Sequence, residues 1–204
     1  MGLTQTTAPA TEPVTVQEAK DFCRITHDDE NSFILAMIRD GREFVENHTQ
    51  RQLMSASWTW TLDAFPSLDA NGIPTNRLVY DADLGLIVPI VPATSVTSIS
   101  YIDEDGASQT LATTVYAIDT SREPARIYLK YDQEWPETRT IANAVTIIFV
   151  AGYANALSVP ETLKTRIKEY VHHAYSMRGA SGGDFNGAVD RIRQALTPYR
   201  MVTV

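Results

Sequence analysis

FILAMIRDGREFVENHTQRQLMSASWTWTLD, residues 33–63, changes its hydrophobic period part-way along, and that change sets the fold. Phe33, Ile34, Met37, Ile38, Gly41, Phe44, Val45 and His48 recur at i, i+3, i+4 and i+7, the spacing of one face of an α-helix. Asp40, Arg42, Glu43, Glu46 and Asn47 fall largely off that stripe. From Trp58 onward, Trp58, Trp60 and Leu62 alternate with Thr59, Thr61 and Asp63, the period of a half-buried strand. Gly41 lies on the helical stripe, where it costs about 1 kcal/mol relative to Ala. A neighbouring helix is expected to pass close to it.

Upstream of this switch, Thr15-Val-Gln-Glu18 has the form of a capping box, and Val16, Ala19, Phe22 and Cys23 follow at helical spacing. That first helix is expected to stop near residues 24–27, with Asp28 or Asp29 capping the second. Residues 1–12, rich in Thr, Pro and Ala, read as a flexible arm. They lack the basic and apolar regions of a secretory signal.

Downstream, strand candidates are residues 78–80, 86–88, 96–101, 116–119, 126–131 and 145–150. Asp103-Glu-Asp-Gly106 reads as a hairpin turn. Pro66, Pro74, Pro89, Pro92, Pro124 and Pro136 mark strand ends and edges, because proline cannot donate to a ladder. The connections are too short for crossover helices, so an antiparallel sandwich or barrel-like block is expected. Helical periodicity returns at Ser158-Val-Pro-Glu161, read as a second capping box, with Leu163, Ile167, Tyr170, Val171, Ala174 and Tyr175 as its stripe. Gly179 is a candidate helix stop, and residues 179–187 are Gly-rich. A last helix carries Val189, Ile192, Ala195 and Leu196 and is ended by Pro198.

The fold class is therefore α+β. A helical domain of residues 13–53 with 157–198 is interrupted by a β insertion of residues 54–153 and followed by a tail, residues 199–204.

Chemical constellations are sparse. Glu169-x-x-His172, with His173 beside it, has di-iron ligand spacing but lacks the second copy such a site needs. His27-Asp-Asp-Glu30 has consecutive charges, unlike a calcium loop. The Gly-rich run follows a helix and lacks the Lys-Ser/Thr ending of a phosphate loop. Trp58, Trp60 and Trp135, with the turn residues Asp81, Asp83, Asp103, Glu104 and Asp105, are what a glycan-binding module or a glycosidic enzyme would use. Sheet core and turn chemistry explain them more simply. The residues call for no catalytic group, cofactor or metal. One cysteine, Cys23, allows no internal disulfide. No run is long and apolar enough to span a bilayer.

The net charge of −8 argues against a free nucleic-acid binder. It is unevenly placed: residues 161–204 carry +3 and the remainder −11. The basic end could dock electrostatically onto an acidic partner.

The order of the pieces carries a resemblance. Val14-Thr-Val-Gln-Glu-Ala-Lys-Asp-Phe-Cys-Arg-Ile25, the long helix closing on Glu43-Phe-Val-Glu-Asn-His48, Trp58-Thr-Trp60, Pro92 to Gly106, Trp135-Pro136, Ala151-Gly-Tyr153, Val159-Pro-Glu-Thr-Leu163 and Leu196-Thr-Pro-Tyr-Arg200 follow one another. From about residue 13 to the end this resembles the phage head–tail connector (adaptor) proteins, in the subfamily with a large β insertion. The resemblance implies a structural virion protein, without enzymatic activity, in the neck between head and tail. It implies a ring, usually of twelve copies, assembled in the host cytoplasm, that binds the portal protein and a downstream neck or tail protein. Double-stranded DNA would pass through the channel without sequence-specific binding, and the ring would help retain it. Other neck components, a stopper or a tail-terminator, are the nearest alternative; their small, mostly β character fits the flanking helices less well.

Tyr199, Arg200, Met201, Val202, Thr203 and Val204 alternate apolar and polar positions, as a strand-adding or groove-filling tail does. This tail is the expected portal-binding segment, with Arg191 and Arg193 as docking charges beside Arg200. An acidic channel wall would repel phosphate and let DNA slide.

Overall fold

The computed structural model describes residues 1–67, 85–178 and 185–201. Its contacts divide the chain into two compact units, residues 1–8 with 56–152 and residues 9–55 with 153–204.

In the helical unit, helix α1 (Val16–Cys23) starts as the capping box requires. Thr15 Oγ1 accepts from the Glu18 N–H at 3.1 Å, and Glu18 Oε2 accepts from the Thr15 N–H at 2.7 Å. Lys20 is buried beside Ala19, its ammonium reaching out to Asp28, whereas Phe22 stays 43% exposed. Helix α2 (Asn31–Thr49) buries Ile34, Met37, Ile38, Gly41 and Val45. Its N-cap is Glu30, without a side-chain bond, and not Asp28 or Asp29. Asp28 is instead occupied by Lys20 Nζ and Asn31 Nδ2.

Helix α3 (Glu161–Ser176) buries Leu163, Ile167 and Val171, and helix α4 (Phe185–Leu196) buries Ala188, Val189, Ile192 and Leu196. Leu163, Ile167, Val171, Ile192 and Leu196 form one cluster with Ile34, Met37, Ile38 and Val45 of α2 and with Val14, Leu53 and Met54. The expected box at Ser158 is absent. Pro160 is the N-cap of α3, without a side-chain bond, and Ser158 closes a short 3₁₀ turn capped by Asn155. Gly179 lies outside the described residues.

Gly41 meets the expectation of close approach. A Cβ there would lie 3.1 Å from Tyr170 Cδ1 and 3.3 Å from Ile167 Cγ2 of α3. Gly41→Leu is expected to wedge α2 from α3 and to lower stability by about 1–3 kcal/mol in a denaturant titration.

In the β unit, strands β1 (Gly2–Thr7), β2 (Ala56–Leu62), β4 (Ala93–Ile102), β5 (Ser108–Thr110) and β8 (Val145–Ala151) form a sheet in the order β1-β2-β8-β4-β5. Strands β3 (Leu86–Ile87), β6 (Tyr116–Asp119) and β7 (Arg126–Leu129) form a second sheet, ordered β3-β7-β6. Every described pairing is antiparallel. The centre is β8, whose residues Val145, Ile147, Phe149 and Ala151 are buried while Thr146, Ile148 and Val150 are half-buried. Register places Ile147 between Trp60 of β2 and Ile99 of β4, and all three are fully buried. Leu86, Val88, Ile90, Tyr116, Ala125 and Ile127 join the same cluster, so the two sheets share one core.

Residues 2–7 are thus a strand and not a flexible arm. Their backbone pairs with β2, and Leu3 packs on the core. The hairpin from β4 to β5 turns at Gly106 (φ 89°), with Asp103 Oδ1 accepting from the Ala107 N–H at 2.8 Å. The strand expected over 126–131 ends at Leu129, and that expected over 78–80 lies outside the described residues.

Candidate docking surface of the helical unit

A helix leaves its last carbonyls without intrahelical donors. At the end of α2 they are claimed by other groups. Thr49 Oγ1 donates to the Val45 carbonyl (2.7 Å), Arg51 N–H to that of Glu46 (3.3 Å) and Gln50 Nε2 to that of Asn47 (2.8 Å). The Thr49 carbonyl receives the N–H of Met201 at 2.9 Å. Arg51 Nε returns a bond to the Tyr199 carbonyl at 2.6 Å. Tyr199, in the 3₁₀ turn Thr197–Tyr199, is half-buried against the helical core, and Arg200 is exposed. The first half of the candidate tail is therefore pinned at two points to the end of α2. Val202, Thr203 and Val204 lie outside the described residues.

The two candidate docking charges are not brought together. Arg191 and Arg193 flank the buried Ile192, and two steps of about 100° put them roughly 200° apart around α4. Arg193 pairs with Asp190 at 3.0 Å and lies over the Phe44 ring, 5.6 Å from its centroid. With Tyr170, Asn186 and Val189 these residues line a pocket of about 370 Å³. Arg191 is exposed on the other flank. Burial, reinforced by the charges of His172 and Arg191, holds His173 below its ordinary pKa.

An ionic network centred on Arg42 joins residues that the apolar spacing leaves largely off the α2 stripe. Arg42 is 6% exposed. Its Nε donates to Glu12 Oε2 at 2.7 Å and its Nη1 to Glu46 Oε2 at 2.6 Å. Glu46 Oε1 accepts from Gln52 Nε2 at 2.7 Å and from the Leu53 N–H at 2.8 Å. Burial pushes the Glu46 carboxyl above its ordinary pKa, against the pull of Arg42 and of the Leu53 N–H. Burial works against the Arg42 charge too, but the carboxylates of Glu46 and Glu12 overcome it and raise its pKa. Spacing shows only that Arg42 can border the core: it is four residues from Ile38 and three from Val45, on the edge of the buried face.

The other singled-out groups are used structurally. Glu30 accepts from the Tyr175 hydroxyl at 2.5 Å and from Arg178, whose guanidinium also lies over the Tyr175 and Phe33 rings. Glu169 pairs with Arg166, and His172 meets Phe22 edge-on. Among the described residues no group of three or more His, Cys, Asp or Glu could hold a metal ion, and no helix is long and apolar enough to cross a membrane. Burial raises the Cys23 thiol pKa. The tryptophans form no exposed platform: Trp60 is fully buried, Trp58 is half-buried, and Trp135 stacks on buried Phe65 at 4.9 Å. Asp103 is spent on its hairpin, and Asp81 and Asp83 lie outside the described residues.

Four carboxylates of the helical unit are held below their ordinary pKa: Glu18 by the Thr15 N–H, Asp28 by Lys20 and Asn31, Glu30 by the Tyr175 hydroxyl and Arg178, and Glu161 by Lys164 and Lys168. A depressed carboxylate stabilises the fold above its unfolded pKa and loses that contribution as pH falls through its folded pKa. Glu46, raised, acts in the opposite sense. Helix stability followed by circular dichroism is therefore expected to decline below about pH 4.5. Glu30→Gln should blunt that decline.

Residues 13–87, which run from the approach to α1 as far as β3, match the phage gp6-like head-tail connector protein family. The fold of the whole chain is similar to chains solved in gene transfer agent particles. One, from the virion of a native particle, shares 20% identity at a TM-score of 0.74, covering 100% of this chain and 97% of that one. Another, from the neck of an empty particle computed with C6 symmetry, shares 21% at a TM-score of 0.72, with the same coverage. A third, from the neck of a native particle computed with C12 symmetry, shares 21% at 0.67, again with the same coverage. No curated protein matches the chain.

Proposed function

We propose that this protein is a structural head–tail connector: a ring in the virion neck, between the portal protein and the next neck or tail protein, that helps retain packaged DNA. The observation that carries this reading is the family match across α1 and α2, extended by a whole-chain fold likeness to neck chains. A ring of twelve copies fits the C12 symmetry of one such neck. Assembly in the host cytoplasm follows from a virion role, and the protein needs no chemistry of its own.

The tail, residues 199–204, is the proposed portal anchor. Its base is fixed on the end of α2 through Tyr199 and Met201. Arg191, Arg193 and Arg200 contribute charge from separate positions, so each should act on encounter rate more than as one joint clamp. DNA would pass the acidic body without sequence-specific contact.

Electron microscopy of the protein with and without portal rings from the same virus tests the reading. A ring in register with the portal is expected, and monomers under both conditions would overturn it. Deleting residues 202–204 keeps both pins on α2. It is expected to weaken portal binding at least tenfold, about 1.4 kcal/mol, without changing the melting temperature.

A further inference from the structure

Two features of the helical unit fit each other but lie apart in one chain. The first is Leu157, in the 3₁₀ turn Ala156–Ser158. It is 92% exposed, although Tyr153 before it and Val159 after it pack on the helical core. The turn beneath it is firmly tied. Asn155 Oδ1 accepts from the Ser158 N–H at 3.0 Å and from the Ser158 hydroxyl at 3.1 Å. A single exposed leucine is ordinary on a protein surface. This one stands on backbone that has little freedom left to lose on binding.

The second is the pocket of about 370 Å³ between α2, α3 and α4. Its floor is a stack of rings. The Phe44 centroid lies 5.4 Å from that of Tyr170 and 6.5 Å from that of His48, at interplanar angles of 27° and 11°. Buried Val189 adds an apolar wall, and Asn186, Asp190 and Arg193 make the rim. Aromatic rings and arginine are the residue types that carry most energy at protein contacts. Glu161 and Tyr170 are nine residues apart on α3, about 14 Å of helix, and Leu157 precedes Glu161. The exposed leucine therefore stays out of its own pocket.

The charges around the two features are complementary. Beside Leu157, Glu161 is paired with Lys164 and Lys168. At the pocket rim Arg193 is paired with Asp190, and both side chains are more than half exposed. Glu161 of one copy can face Arg193 of another while Lys168 faces Asp190. A closed ring requires two unlike faces on every chain, each fitting the other on the next copy. The fold is shared with a chain solved in a neck of C12 symmetry. A projecting leucine and an open aromatic pocket on one helical unit supply such a pair of faces.

We propose that Leu157 of each copy seats in the Phe44–Tyr170–Val189 pocket of the next and anchors the contact between neighbours in the ring. The partner is a second copy of this chain, and the inference rests on the ring reading given above.

The test uses the full chain on portal rings. Leu157→Ser changes an exposed side chain, so its melting temperature is expected to match that of the parent. It is expected to need at least about tenfold more protein to form rings. A second variant, with Cys23→Ala, Ala156→Cys and Asn186→Cys, keeps the leucine and is treated with a short bis-maleimide after assembly. Denaturing gels should show a ladder at multiples of 22.6 kDa, absent from the unassembled protein. Leu157→Ser rings forming at the parent's concentration, or rings of the cysteine variant that give no ladder, overturn the contact and leave the ring reading standing. Failure of the parent to form rings overturns both.

Discussion

Arg42→Ala is expected to lower folding stability by about 3–5 kcal/mol, the cost of leaving buried carboxylates without their cation. The guanidinium joins three segments: Glu12 ahead of α1, Glu46 one turn along α2, and through Glu46 the Leu53 N–H and Gln52 after the helix. Its loss strands Glu46, whose side chain is only 13% exposed, and Glu12 at 14%. Arg42→Met keeps the apolar stem, so its deficit measures charge loss with little cavity. Adding Glu46→Gln to Arg42→Met should recover part of the deficit, because a glutamine carbonyl still accepts from Leu53 while carrying no charge. The double-mutant cycle then reports the coupling directly. The pH dependence has a definite sign. Without Arg42 the Glu46 carboxyl is raised still further. A raised carboxyl contributes its stability below its unfolded pKa, near 4.5, and loses it as pH rises through the folded value. The deficit of Arg42→Met should therefore shrink on going from pH 7 towards pH 4.5, and a deficit independent of pH would count against the network.

The same residue shows why some of the fold was legible in the sequence and some was not. The buried face of α2, the inward residues of β8 and the Thr15 capping box are local patterns, each decided within a few residues of chain. Arg42 is buried because Glu12, 30 residues away, comes to meet it, and no local pattern encodes that meeting. Strand β1 was missed for a related reason. Gly-Leu-Thr-Gln-Thr-Thr carries one large apolar side chain, and its conformation is set by the ladder offered by β2, more than 50 residues on. The expected cap at Asp28 failed because Lys20, buried one helix earlier, takes that carboxylate. For the docking surface, residues 199–201 could be named from composition, but their fixation to the end of α2 depends on unmet carbonyls that only the fold brings within reach. The divergence of Arg191 and Arg193 was legible, since a separation of two residues on a helix puts side chains on opposite flanks.

Trp60→Ala is expected to be the most damaging single change in the β unit, at about 3–5 kcal/mol. Trp60 is fully buried and faces Ile147 on one side and Leu3 on the other in strand register. Its removal opens a cavity in the sheet core and takes away the seat of β1. Trp60→Phe should be far milder. It preserves an aromatic plug and deletes an indole N–H that has no hydrogen-bond partner, so part of the lost packing is offset by relief of an unmet donor. Two spectroscopic signals separate this effect from that of Arg42. All three tryptophans lie within residues 56–152, so fluorescence reports the β unit, while the four α-helices lie in the other unit and dominate circular dichroism at the helical band. Each unit has its own apolar cluster. In thermal melts Trp60→Ala should therefore shift the fluorescence transition, read from Trp58 and Trp135, more than the helical one. Arg42→Ala should do the reverse. Equal shifts of both signals by both variants would mean that the two units unfold as one cooperative body.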